Sequence, residues 1–167
     1  MSRPHPTNHE KSFGDDEVIV SKTDTKSNIT YCNEIFIKIS GYEEEELLGK
    51  PHNILRHPDM PRAVFKLLWE RIQAGKEIHA YVKNICKDGS FYWVLANVTP
   101  SFDEHDNIIG YFSVRTKPTP EAIATISELY AKMLQIEKTS GMNASAEYLQ
   151  KIINDKETTY EEFILSL

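Results

Sequence analysis

Between residues 52 and 59 the chain reads His-Asn-Ile-Leu-Arg-His-Pro-Asp, which brings two imidazoles, a guanidinium and a carboxylate into one short stretch. By donor type His52, His57 and Asp59 could hold a metal ion, but Pro58 and Pro61 stiffen the stretch and no fourth ligand stands at a matching spacing. Arg56, His57 and Asp59 could equally pair with one another around the start of the helix that Pro61 introduces. His79 lies in a β-rich run and could ligate a haem iron, although a strand histidine is more often a satisfied hydrogen-bonder. Asn84 lies in the same run, where asparagine is disfavoured, so it either meets solvent or makes a specific contact. Phe65 and Trp69 fall on an apolar helix face and serve a core by default. The chain has no GxSxG, no phosphate-binding glycine loop, no HExxH and no spaced Cys/His set, so turnover of a substrate is not expected.

The elements that must position these residues follow from hydrophobic pattern. Val18 to Val20 and Ile29 to Tyr31, separated by Thr23, Asp24, Ser27 and Asn28, predict a β-hairpin. Short helices are expected from Glu34 to Ile39 and from Glu43, where consecutive acids favour a helix N-terminus and Gly49 supplies the stop. Pro61 opens a longer helix to about Ala74, with Val64, Leu67, Leu68 and Ile72 on its buried face. Glu77 to Cys86, Phe91 to Thr99 and Ile108 to Val114 predict three more strands, the first two joined by a turn at Lys87-Asp88-Gly89-Ser90. The register of that hairpin decides what accompanies Asn84. A two-residue turn pairs it with Trp93 and puts Asn97 on the same sheet face; one more residue in the loop turns Asn97 away.

The predicted order is β-β-α-α-α-β-β-β: an α+β domain over residues 15–118, with a five-stranded antiparallel sheet and helices on one face. Residues 1–14 are too polar to bury much surface and are expected to form a flexible arm. In residues 119–167 apolar side chains recur at helical spacing, Ser140-Gly141 ends one helix, and Thr159 with Glu162 suggests a capping box before another. Short amphipathic helices need a surface to lie on, so this tail is expected to dock and to carry an output.

At 167 residues, 40% hydrophobic and 26% charged, the chain can bury a sizeable core. No apolar run reaches membrane-spanning length and the first residues carry no apolar signal region, which predicts a cytoplasmic protein without direct membrane insertion. The net charge of −6, with 4 Lys against 8 Asp or Glu in residues 119–167, argues against nucleic acid as a partner. Cys32 and Cys86 show neither ligand nor disulfide spacing and are expected to be reduced and structural.

Ile29-Thr30-Tyr31-Cys32-Asn33, Ser40-Gly41-Tyr42, Leu47-Leu48-Gly49-Lys50 and Lys87-Asp88-Gly89 with Trp93 resemble a PAS domain over about residues 15–118. Within that superfamily, the run from Pro51 to Pro61 followed by Phe65 and Trp69 is similar to the FAD-binding PAS domain of bacterial aerotaxis and energy-taxis receptors. The resemblance implies a redox sensor that holds FAD non-covalently between the sheet and the Pro61 to Ala74 helix. It also implies a signalling partner such as a transmembrane chemoreceptor, as in two-protein energy-taxis systems, or a homodimer. Carried over residue by residue, it implies cofactor contacts from Asn33, Arg56, His57, Asp59, Phe65, Trp69 and Asn84, with Asn97 added if the hairpin turn has two residues. An isoalloxazine ring needs an apolar slot with a few donors and acceptors, which amides supply, and Arg56 with His57 would favour its reduced, more negative form. His52 stands where related flavin photoreceptors carry a reactive cysteine, which excludes adduct photochemistry, and Ile78 stands where taxis receptors often have tryptophan. The alternatives are a haem-binding gas sensor with His79 or His57 as axial ligand, and a cofactor-free interaction module.

Overall fold

The computed structural model describes residues 2–167. β1 (Ile19–Thr23) and β2 (Ile29–Cys32) pair antiparallel around a turn held by Asp24, whose carboxylate accepts from the Lys26 and Asn28 amides at 2.9 Å. Asn33 then ends the hairpin and starts α1 (Glu34–Ser40): its side-chain oxygen accepts from the Phe36 amide, a helix cap. α2 (Glu44–Leu47) carries a capping box between Glu43 and Glu46, a 3₁₀ turn spans His52–Leu55, and α3 (Arg62–Gln73) lies across the sheet. β3 (Ile78–Ile85), β4 (Phe91–Phe102) and β5 (Ile108–Thr116) complete an antiparallel sheet of order β2-β1-β5-β4-β3. Phe36, Leu47, Leu55 and Val64 pack with Ile19, Ile29, Tyr92 and Val94 to form the core between these helices and the sheet's inner face.

The β3–β4 loop is one residue longer than the shortest turn. Cys86 donates to the Ser90 carbonyl at 2.8 Å, leaving Lys87, Asp88 and Gly89 as a three-residue connection. Asn84 therefore lies opposite Tyr92 and not Trp93, and Asn97 faces outward beside His79. Gly89 permits this turn through its left-handed φ of 89° and also a close approach, since a Cβ there would lie 2.0 Å from the His5 carbonyl oxygen. The N-terminal arm passes at that point. Thr7 donates to the Gly89 carbonyl, His9 and Lys11 bracket Phe91 in a parallel bridge, and Phe13 is buried.

The tail folds back on the same chain as α4 (Pro120–Ser140), α5 (Met142–Asp155) and α6 (Tyr160–Leu165). Thr119 caps α4 and Thr159 caps α6; the Glu162 carboxylate accepts from the Thr158 hydroxyl and does not complete a capping box. Together with the 3₁₀ turn region, this tail satisfies the free edge of β3, which would otherwise expose unpaired backbone groups. The His79 amide donates to Glu161, the Tyr81 carbonyl accepts from the Tyr130 hydroxyl at 2.7 Å, and the Lys83 carbonyl accepts from the His57 amide. Glu137 of α4 is buried at the start of α3, where its carboxylate accepts from the Arg62 and Ala63 amides at 2.8 and 3.1 Å. The first turn of α3 has no side-chain cap of its own, because Pro61 occupies its N-cap. No helix of the described residues is long and apolar enough to cross a membrane.

Candidate functional site

A cavity of about 300 Å³ lies between α3, the 3₁₀ turn and the inner faces of the central strands. Its apolar wall comes from Phe65, Leu68, Trp69 and Ile72 of α3 and from Val82, Ala96 and Val98 of the sheet. These residues point inward because α3 presents one stripe to the sheet and the strands alternate. Trp69 meets Tyr111 edge-on, with ring centroids 5.6 Å apart. Asn84, 4% exposed, carries an amide into this wall, and Ser113 adds a hydroxyl. The mouth is formed by Lys26, Pro51, Asn53 and Arg56.

The ionisable groups lining the cavity are one-sided. Lys26, His52, Arg56 and Arg115 line it, and no aspartate or glutamate does, in a protein of net charge −6. Arg115 is the most unusual of these. It is 2% exposed, faces inward from β5, and stacks its guanidinium 4.8 Å above the Phe36 ring. It donates to the Ser21 hydroxyl and lies 3.0 Å from His52 Nε2, itself 3.2 Å from that hydroxyl, while its own Nε is buried without a partner. Burial pulls the guanidinium down to about 10, so it remains a cation at neutral pH. Burial, and then the Arg115 charge, push His52 down to about 3, so this imidazole is neutral. Arg56 stacks over Phe65 at 3.8 Å and also buries an unpartnered Nε.

Of the residues singled out from sequence, the structure gathers Arg56, Phe65, Trp69 and Asn84 on the cavity wall. The other four lie outside it. Asn33 is occupied with the Phe36 and Val20 amides and the Val18 carbonyl, joining α1 to β1. His57 is buried against Phe91, accepting at Nδ1 from the Asp59 amide with Nε2 unpartnered; burial, then Lys83, push its imidazole below the usual value. Asp59 pairs with Lys83 at 2.8 Å on the far side of β3; burial pushes its carboxyl up, but the Lys83 ammonium together with the charges of His57 and Lys138 holds it below the usual range. Asn97 meets Glu77 and His79 on the outer face, a consequence of the three-residue loop. His79 is tied to Glu161 at 2.8 Å, so neither proposed haem ligand, His79 or His57, lines the cavity. His52, Ser21 and Arg115 were not singled out as contacts. The signal for Arg115 is a charged residue two positions beyond Ser113 on the inward face of a strand, just past the predicted strand end at Val114.

Comparison with known proteins places this cavity in context. The chain is 43% identical over 139 residues to the aerotaxis receptor of Escherichia coli K12, an alignment covering 83% of this chain and 27% of that protein. The chain thus spans about a quarter of that relative's length. Among solved structures, the dark state of the blue-light photoreceptor Aureochrome1 LOV aligns with a TM-score of 0.57 and 27% identity, covering 71% of this chain and 86% of that one. A light-oxygen-voltage domain studied with a flavin analogue aligns at a TM-score of 0.60 and 20% identity, covering 66% and 84%, a likeness of fold. The PAS fold family model matches residues 29–115, the span that runs from β2 to the cavity arginine of β5, and the chain belongs to the PAS fold family.

Proposed function

We propose that this PAS domain is a redox sensor that holds a flavin dinucleotide, FAD, in the cavity beneath α3 and reports its redox state to a separate signalling protein. The observation that carries this reading is the cavity's composition: an aromatic and aliphatic slot, an inward amide, and three cationic side chains with no acid among them. That set suits a planar ring system bearing negative charge. When bound, an isoalloxazine accepts electrons and protons and gains negative character at its pyrimidine edge.

The chain's own residues have distinct tasks. Phe65, Leu68 and Trp69 exclude water from the ring, and Asn84 offers both a donor and an acceptor from β3. Arg115, held by Ser21 and His52, supplies a desolvated positive charge that favours the more negative state. Arg56 holds positive charge at the mouth. Asn33 and Asp59 contribute at one remove, Asn33 by fixing β1 and Asp59 by fixing Lys83 beside Asn84. The relative named as an aerotaxis receptor supports a role in behavioural responses to oxygen or respiratory state, with a transmembrane chemoreceptor as the signalling partner and a cytoplasmic setting. The visible spectrum of the purified chain tests the cofactor. Two oxidised-flavin bands that bleach on reduction, with FAD released on denaturation, are expected; a haem band, or a colourless protein that takes up no flavin, overturns the reading.

A further inference from the structure

The arm and the cavity mouth meet at one residue. Arg3 donates from Nη1 to the Arg56 carbonyl at 3.1 Å and from Nη2 to the Asn53 carbonyl at 3.0 Å, and Asn53 and Arg56 both line the mouth. The arm is held to this course downstream, by the Thr7–Gly89 bond, the Phe91 bridge and buried Phe13. Arg3 itself is outside the cavity lining but is held on the backbone of two residues that form its mouth, and among the described residues neither Arg3 nor Arg56 has a carboxylate within ion-pair distance. Their mutual repulsion adds to burial in drawing Arg56 below its usual value. Two of the five N–H donors of Arg3 are engaged by the carbonyls, leaving three free for an anion. Lys26 adds a further cation to the cavity lining.

We propose that Arg3 of the N-terminal arm is a specificity residue for this site: with Arg56 it recognises the diphosphate of a dinucleotide whose ring occupies the cavity. This rests on the flavin reading and extends it, because it assigns the choice of FAD over flavins without a diphosphate to the arm. Guanidinium forks match phosphate oxygens in geometry as well as charge. A purely structural Arg3 would only cap the carbonyls at the end of the 3₁₀ turn, and its loss would loosen Asn53 and Arg56 for every flavin alike.

The two roles separate by titrating FAD and riboflavin into the full apo chain and its Arg3→Ala and Arg3→Lys variants, following flavin fluorescence. Arg3 is exposed, so both variants are expected to fold. Arg3→Ala is expected to weaken FAD about tenfold and leave riboflavin unchanged, with Arg3→Lys between, the size of one charge-assisted contact. The preference of the unaltered chain for FAD over riboflavin is expected to shrink as salt is raised. An Arg3→Ala effect equal on both ligands, or on neither, overturns the proposal while riboflavin binding leaves the flavin reading standing. Binding of neither flavin to the unaltered chain overturns both.

Discussion

Arg115 is a cation that folding takes out of water without an anion to meet it. A buried charge lacking its counter-charge destabilises the state that buries it, and the proposed flavin would supply the missing negative charge. Arg115→Met, which fills similar volume, is expected to raise the melting temperature of the apo protein by roughly 2–8 °C, the size of a shift of about 1–2 kcal/mol in a domain of this length. It is also expected to weaken flavin binding at least tenfold. Calorimetry of the apo protein with a flavin titration checks both; a variant that melts lower and binds normally contradicts the assignment. His52 makes the complementary pH prediction. Its folded value of about 3 lies below that of an ordinary imidazole, so the unfolded chain binds the extra proton first. Stability attributable to this group is complete above about pH 6.5 and is lost as pH falls toward 3, by an amount on the order of a few kcal/mol. Urea unfolding across that range is expected to show a shallower pH slope in His52→Gln.

Among the elements, α3, like β3, connects cavity to tail. Its inner stripe walls the site, while its N-terminal amides are capped by Glu137 from α4, contacts across 75 and 74 residues of sequence. Glu137→Ala is expected to destabilise the full chain by about 1–3 kcal/mol, because one buried and one part-buried amide lose charge-assisted acceptors. Tyr130→Phe leaves the Tyr81 carbonyl unpaired at the β3 edge and is expected to cost about 1–2 kcal/mol. Chemical denaturation measures both, and a change under about 0.3 kcal/mol in either would show that the tail does not stabilise the domain through these bonds. The elements themselves were legible because period-two and helical patterns survive in the sequence: the hairpin of Val18 to Tyr31, the Pro61 helix and the three long strands all form. The register at Asn97 hung on a single loop residue, and local pattern does not decide between two and three. Arg115 stayed hidden because its role depends on packing among β5, β1 and the 3₁₀ turn, which are far apart in sequence.

For the molecule as a whole, the tail lies against the β3 edge and α3, and those two elements flank the cavity. The candidate site was legible in part: Arg56, Phe65, Trp69 and Asn84 converge, while His57 and Asp59, one and three residues after Arg56, diverge to the other side because the chain runs as an extended bridge beside β3. Under the proposed function, a change of charge in the cavity would alter the balance between packed arrangements of α3 and α4. Hydrogen exchange of the flavin-loaded full chain, compared between oxidised and fully reduced states, tests this most directly. The account predicts altered exchange at the Arg62 and Ala63 amides and along α4. Identical exchange in both states across these segments would contradict it.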